Sequence, residues 1–274
     1  MKLSVIIPTY NRAMFLKAAV DSVLCQTRTA DEVIVVDDGS TDATPELLGD
    51  YGEKISVITT PNKGPGAARN RGIEAARGDW LAFLDSDDVW KPKKLEKQVR
   101  FIEKQPETKI CQTGEIWIRN GTRVNPKKKH EMFSGWIYEQ CLPLCIVSPS
   151  SVMIHRAVFE KIGLFDEGLP ACEDYDLWLR ITPHYPIYLV REPLIVKQGG
   201  HSDQQSRKIP FLDRLRIKAI VKSLESGDLT ENQYRAAVKE LEKKCRVYGN
   251  GCLKRGKTKE GERCLLLPEK YREG

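Results

Sequence analysis

The sequence predicts an α/β protein: a mainly parallel sheet flanked by helices over residues 1–205, followed by a helical extension over residues 206–274. Two observations predict it. Through the first 90 residues, short apolar runs alternate with stretches of helical periodicity. Such alternation specifies parallel strands joined by crossover helices on the faces of the sheet. In the last 69 residues the helical period continues with no strand signal. A chain of 274 residues suits one large α/β domain with an appendage.

Leu3 to Ile7 is an apolar strand stopped by Pro8. Phe15, Leu16, Ala19, Val20, Val23 and Leu24 recur at helical spacing, so Ala13 to Gln26 forms a helix with one buried face. Val33 to Val36 is a second strand, and Gly39 suits the tight turn after it. Ser40 or Thr41 can cap the next helix, which runs through Leu48. Ile55 to Thr59 is a third strand, and the loop from Asn62 to Gly72 opens a helix to Ala76. Leu81 to Leu84 is the fourth strand, and Pro92 suits the first turn of a helix to Lys104. Ile110 to Arg119 and Ser150 to Ile154 read as strands. Residues 122–135 read as a lysine-rich loop, and His155 to Ile162 as a short helix. Ile187 to Val190 and Leu194 to Val196 read as two short strands separated by Arg191-Glu-Pro193. In the extension, Phe211 to Ser226 is helical. A capping box at Thr230 opens a helix to about Val247, Gly249 and Gly251 break it, and a final helix runs from Lys259 to Leu267.

Composition narrows the function. The net charge of +6 lies in local lysine and arginine runs, and no nucleic-acid module accompanies it. An anionic phosphate substrate or an anionic membrane surface is compatible with that charge. No run of about 18 apolar residues occurs, and the N-terminus lacks the pattern of a signal peptide, so a cytoplasmic location is expected. The eight cysteines show no paired zinc spacing and read as reduced thiols, mostly core filler.

Chemistry concentrates at the ends of the strands. In open α/β sheets, ligands bind beyond the carboxyl ends of the strands. Thr9 and Tyr10 follow the first strand, Asp37 and Asp38 the second, and Asp85, Asp87 and Asp88 the fourth. Asp85 and Asp87 can converge on one hard cation such as Mg²⁺ or Mn²⁺, which brings substrate phosphates with it. Taken alone, Asp-Ser-Asp-Asp better suits a solvated loop capping the next helix; its place at the end of a buried strand is what points to a site. Arg69 and Arg71 suit either a solvated helix face or a partner for the carboxylates and phosphate. Glu173 and Asp174 open a helix whose apolar face is Leu177, Trp178 and Ile181. The helix dipole favours negative charge there, and a carboxylate so placed can also serve as a general base. His201 reads either as a metal or phosphate contact or as a surface histidine. The glycine-containing loop lacks the Gly-Lys-Ser/Thr ending of a Walker loop and does not follow the first strand, which excludes a P-loop NTPase and a dehydrogenase.

Ser4-Val-Ile-Ile-Pro-Thr-Tyr-Asn-Arg12, Val35-Val-Asp-Asp-Gly-Ser-Thr-Asp42, Ala67-Ala-Arg-Asn-Arg-Gly-Ile73, Phe83-Leu-Asp-Ser-Asp-Asp88 and Glu173-Asp-Tyr-Asp176 together resemble the family 2 glycosyltransferases, over about residues 1–205. The resemblance implies a GT-A fold and inverting transfer from a nucleoside diphosphate sugar, UDP- or GDP-linked, to a hydroxyl of a glycan or lipid-linked acceptor. It implies that Pro8, Thr9, Tyr10, Arg12 and Asp38 line the nucleotide-sugar pocket. Arg69 would lie near the nucleotide, with Asp85, Ser86 and Asp87 at the diphosphate. Asp85 and Asp87, joined by His201, would bind Mg²⁺ or Mn²⁺, and Asp174 would be the catalytic base. Peripheral association with the inner membrane surface fits the same picture. Processive synthases of this kind carry Gln-x-x-Arg-Trp, whereas Gln204-Gln-Ser-Arg207 here lacks the tryptophan, so repeated polymerisation is not expected. The competing readings are a sugar nucleotidyltransferase and a non-catalytic nucleotide-sugar binding protein.

Overall fold

A computed structural model describes residues 1–125, 127–200 and 211–272. His201 and the boundary expected between residues 205 and 206 lie outside the described residues. Four parallel strands, β1 (Leu3–Thr9), β2 (Glu32–Asp37), β3 (Ser56–Thr59) and β4 (Trp80–Phe83), are joined through α1 (Ala13–Leu24), α2 (Thr44–Gly49) and α3 (Pro65–Ala75). The sheet continues with β5 (Val89–Trp90), β6 (Ile110–Arg119), β8 (Met153–His155) and β9 (Tyr188–Gly199), in the order β3-β2-β1-β4-β8-β6-β9-β5, while β7 (Thr122–Val124) pairs with β6. β8 runs antiparallel to both its neighbours, and β6 pairs in parallel with β9. This is the mixed, mainly parallel sheet the sequence predicts.

Strand alternation divides the core in two. Val5, Ile7, Val35, Ala82 and Leu84 pack with Leu16, Val20 and Val23 of α1 and with Leu95 and Val99 of α4 (Lys94–Lys104). Ile6, Ile34, Val36, Leu81 and Phe83 face the other way. They share a core with Leu177, Trp178 and Ile181 of α7 (Glu173–Ile181) and with α6 (Arg156–Ile162). That second core extends into the C-terminal helices. Ile217, Ile220 and Leu224 come from α8 (Leu212–Glu225), Ala237, Leu241 and Cys245 from α9 (Glu231–Lys254), and Cys264 from α10 (Thr258–Leu266). The extension therefore packs on the sheet domain. Among the described residues, no helix is long and apolar enough to cross a membrane.

Several expectations change. Gly249 and Gly251 do not break α9, which runs to Lys254 behind the Thr230 capping box. A Cβ on Gly249 would meet Leu265 at 2.8 Å, and one on Gly261 would meet the Gly249 carbonyl at 2.9 Å. These glycines let α9 and α10 cross closely. The two strands expected around Arg191-Glu-Pro193 are one strand, β9. The charged pair bulges out, because Thr113 pairs with Val190 and Gly114 with Pro193. Part of the expected loop at 122–135 is β7, turned back on β6 through Asn120 and Gly121 at positive φ. Residues 149–151 are a 3₁₀ turn rather than strand. Neither Ser40 nor Thr41 caps α2. The Asp42 side chain accepts from the Thr44 N–H at 2.9 Å, while Ser40 Oγ accepts from the Asn11 N–H at 2.8 Å.

Candidate active site

The carboxyl ends of β1, β2 and β4 open into a cavity of about 790 Å³. Pro8, Thr9, Tyr10, Arg12, Asp38, Arg69, Asp85, Ser86, Asp87 and Asp174 all line it. The structure thus brings together every described residue that the family resemblance assigns to the site. Arg71 stays outside, paired with Glu74 at 2.7 Å on an exposed helix face.

Asp38 is buried just after β2 and is held by the glycine-containing loop. Its Oδ1 accepts from the Lys63 N–H at 2.9 Å and its Oδ2 from the Gly64 N–H at 2.7 Å. Gly64 has φ +95°, a conformation that glycine adopts readily and other residues rarely. Burial raises the Asp38 pKa against those hydrogen bonds. Thr9 Oγ1, beside it at the end of β1, is buried without a hydrogen-bond partner.

The acidic centre is crossed by cations. The Arg69 guanidinium donates to Asp85 Oδ1 and to Glu173 Oε1, each at 2.7 Å, and lies over the Phe165 ring. Burial works against its charge, but Asp85 and Glu173 outweigh that and raise its pKa. Burial likewise opposes ionisation of Asp85, yet Arg69 and Lys197 hold its pKa down. At Asp87, burial and the neighbouring Asp85 raise the pKa, with Arg12 opposing at 3.9 Å. Asp88 is pushed up to about 7, first by burial and then by Asp85 and Asp87, while Lys197 opposes. Asp88 faces away from solvent: Ser150 Oγ donates to it at 2.7 Å and the Gln198 N–H at 3.2 Å. Ser150 Oγ also accepts from the Asp85 N–H at 3.0 Å, so one buried hydroxyl ties the Asp-Ser-Asp-Asp loop to the residues before β8.

Asp174 lies in the first turn of α7. Its Oδ1 accepts from the Tyr175 N–H at 2.7 Å and its Oδ2 from the Cys145 thiol at 3.3 Å. Asp176, two residues further on, is fully buried and paired with Arg180 and Lys222, which makes it a structural carboxylate.

Sequence reasoning missed three contributions. Lys197 lines the cavity, donates to Ser148 Oγ at 2.7 Å and lies 3.5 Å from Asp88. Burial opposes its charge, but Asp88, Glu115, Asp85 and Asp87 together raise its pKa. The one available signal was a lysine directly after the apolar run Leu194-Ile-Val196. Cys145 and Cys172, read as core filler, line the cavity beside Asp174. Leu212 and Arg216 of α8 line it as well, so the extension contributes to the site.

Among the described residues, no group of three or more His, Cys, Asp or Glu is arranged to hold a metal ion. The donor set nevertheless fits a hard divalent cation shared with a diphosphate, which needs only one or two carboxylates from the protein. Asp85 and Asp87 would supply these, and their crowding is of the kind a cation would offset.

The chain matches glycosyl transferase family 2 over residues 4–163. The chain belongs to this family. A family relative from Rickettsia felis, an uncharacterized glycosyltransferase, is 35% identical over 213 residues, covering 75% of this chain and 35% of the relative. This chain thus spans about a third of that relative's length. The putative teichuronic acid biosynthesis glycosyltransferase TuaG of Bacillus subtilis is 35% identical over 182 residues, covering 65% of this chain and 71% of TuaG. The crystal structure of S. aureus TarS 1-349 in complex with UDP-GlcNAc superposes with a TM-score of 0.75 at 22% identity, covering 98% of this chain and 79% of that one. At that identity the match establishes the fold: the GT-A type, with the C-terminal helices included.

Proposed function

We propose that this family 2 member is an inverting glycosyltransferase. It moves a sugar from a nucleoside diphosphate sugar to a hydroxyl of a glycan or lipid-linked acceptor in cell-surface polysaccharide assembly. The observation that carries the reading is one cavity holding Asp38, the Asp85–Asp87 pair and Asp174 together. Pro8, Thr9, Tyr10 and Asp38 hold the nucleoside, and the unpartnered Thr9 hydroxyl and the acceptor capacity of Asp38 suit a polar base edge. Arg12, Arg69 and Lys197 bring positive charge to the diphosphate. Asp85 and Asp87 would hold Mg²⁺ or Mn²⁺, which when bound offsets the charge developing on the leaving diphosphate. His201 is proposed as a further ligand.

Asp174 takes the proton from the acceptor hydroxyl as that oxygen attacks the anomeric carbon. Glu173, the nearest alternative carboxylate, is buried and committed to Arg69 at 2.7 Å. This supports a single displacement with one base, in contrast to the paired carboxylates of a retaining glycosidase. Leu144, Ile146, Leu212 and Arg216 form the wall on the Asp174 side and are assigned to the acceptor. The putative role of TuaG in teichuronic acid biosynthesis supports a polysaccharide product, and the TarS complex with UDP-GlcNAc supports a UDP-linked donor. Work on such an acceptor suits a cytoplasmic protein at the inner membrane surface.

A thermal-shift panel of UDP-, GDP- and dTDP-sugars, with and without Mn²⁺, tests the reading. One nucleotide class is expected to raise the melting temperature, and more so with Mn²⁺. No shift with any of them contradicts it. Pyrophosphate release from a nucleoside triphosphate and a sugar phosphate would instead favour a nucleotidyltransferase.

A further inference from the structure

We infer that the Cys145 thiol is a positioning group for Asp174, holding the carboxylate oxygen that receives the acceptor's proton. The inference rests on the reading of Asp174 as the base. The two Asp174 oxygens have different donors: the Tyr175 N–H fixes Oδ1, and the Cys145 S–H reaches Oδ2 at 3.3 Å. The thiol shares its single proton with the Val147 carbonyl, also at 3.3 Å. Cys145 is placed from outside α7. It lies between α5 (Tyr138–Cys141) and the 149–151 turn, on a segment tied down at two carbonyls. The Tyr175 hydroxyl donates to the Leu142 carbonyl, and Lys244 Nζ of α9 donates to the Pro143 carbonyl at 2.9 Å. The base and the segment that carries its thiol partner are therefore both tied to α7.

The chemistry suits the task. Burial and the adjacent Asp174 charge push the thiol well above its ordinary range, so it stays a donor instead of becoming a repelling thiolate. An S–H group is a weak donor. It orients the oxygen while competing little for the electron pair that must take a proton.

The first test needs no substrate. Iodoacetamide labelling, resolved by mass spectrometry, is followed at Cys145 and at the exposed Cys25 in the wild type and in Asp174→Asn. Removing the carboxylate charge is expected to speed Cys145 labelling about threefold or more and to leave Cys25 unchanged. Equal Cys145 rates would overturn the inference. The second test follows UDP release from UDP-GlcNAc with Mn²⁺, with water as the acceptor. Cys145→Ala is expected to lower kcat about tenfold with the donor KM unchanged, and Cys145→Ser to restore part of the loss. A fall in donor affinity that matches the loss of rate, or an unchanged rate in Cys145→Ala, would overturn it. Undiminished turnover in Asp174→Asn removes the base assignment but leaves the labelling result standing, so the two failures are distinguishable.

Discussion

The cavity is built from two regions that reach it in different ways. In the first, β1 to β4, the key polar side chains sit at strand ends: Thr9 closes β1, Asp38 follows β2, and Asp85 and Asp87 follow β4. In the second, from β6 onward, the contributions arrive by long-range pairing. Glu173 meets Arg69 across 104 positions, the Gln198 N–H meets Asp88 across 110, and Ser150 meets Asp88 across 62. The first region presents carboxylates; the second supplies much of what holds and neutralises them. A sheet edge carrying this much negative charge is tolerable because Arg12 and Arg69 of the first region and Lys197 and Ser150 of the second offset or hold it.

The largest expected effect breaks the bridge between the regions. Arg69→Met leaves Glu173 and Asp85 facing each other without their shared cation. Breaking a buried ion pair by removing one partner typically costs about 3–5 kcal/mol. Urea denaturation is expected to show a loss of that order, and Arg69→Met combined with Glu173→Gln to recover part of it. A loss under about 1 kcal/mol would mean that the two halves stand independently.

A smaller effect is expected at Ser150. Ser150→Ala strips a partner from the Asp85 N–H and from the Asp88 carboxylate at once, both tied to one buried hydroxyl. Leaving buried polar groups unsatisfied costs about 1–3 kcal/mol. Thermal denaturation should register it, and donor binding should weaken because the Asp-Ser-Asp-Asp loop loses its anchor. Unchanged donor affinity would confine Ser150 to stability.

The effect most remote from the site lies behind it, in α4, and is read as a slope against pH. Lys94 is fully buried, donates to Gln98 at 2.7 Å and lies 3.8 Å from the Trp90 ring centroid. The ring favours the ammonium, yet burial dominates and lowers the pKa to about 7. Between that value and the ordinary 10.5, the unfolded chain binds more protons than the folded one, so stability rises with pH in this window. The slope is at most about 1.4 kcal/mol per pH unit. Lys94→Met is expected to flatten the dependence of the melting temperature on pH between 7 and 10. An equally steep profile would show that Lys94 keeps its proton in the folded state.

The same contrast explains what was legible. Apolar runs ending in Thr9, Asp38 and Asp85 are local signals, and they located the rim and the parallel half of the sheet. Lys197 carried almost no signal, because its importance comes from β9 pairing with β5 and β6 beside the aspartates. Cys145 read as one more core-filling thiol until α7 was placed against it. Gly249 read as a helix breaker because its conformational cost is local, while the compensating approach of α10 is tertiary. Leu212 and Arg216 were unreadable for the same reason: α8 has an ordinary amphipathic pattern, and only packing on α7 turns its first two turns toward the cavity.

The central claim is that one carboxylate, Asp174, activates the acceptor in a cavity whose other acids serve the diphosphate. Its most direct test is transfer by Asp174→Asn, with the donor identified by thermal shift, alongside calorimetric donor binding. The account predicts donor affinity within about twofold of wild type and a transfer rate lowered by about 10²–10⁴. Transfer by the variant at the wild-type rate would contradict it.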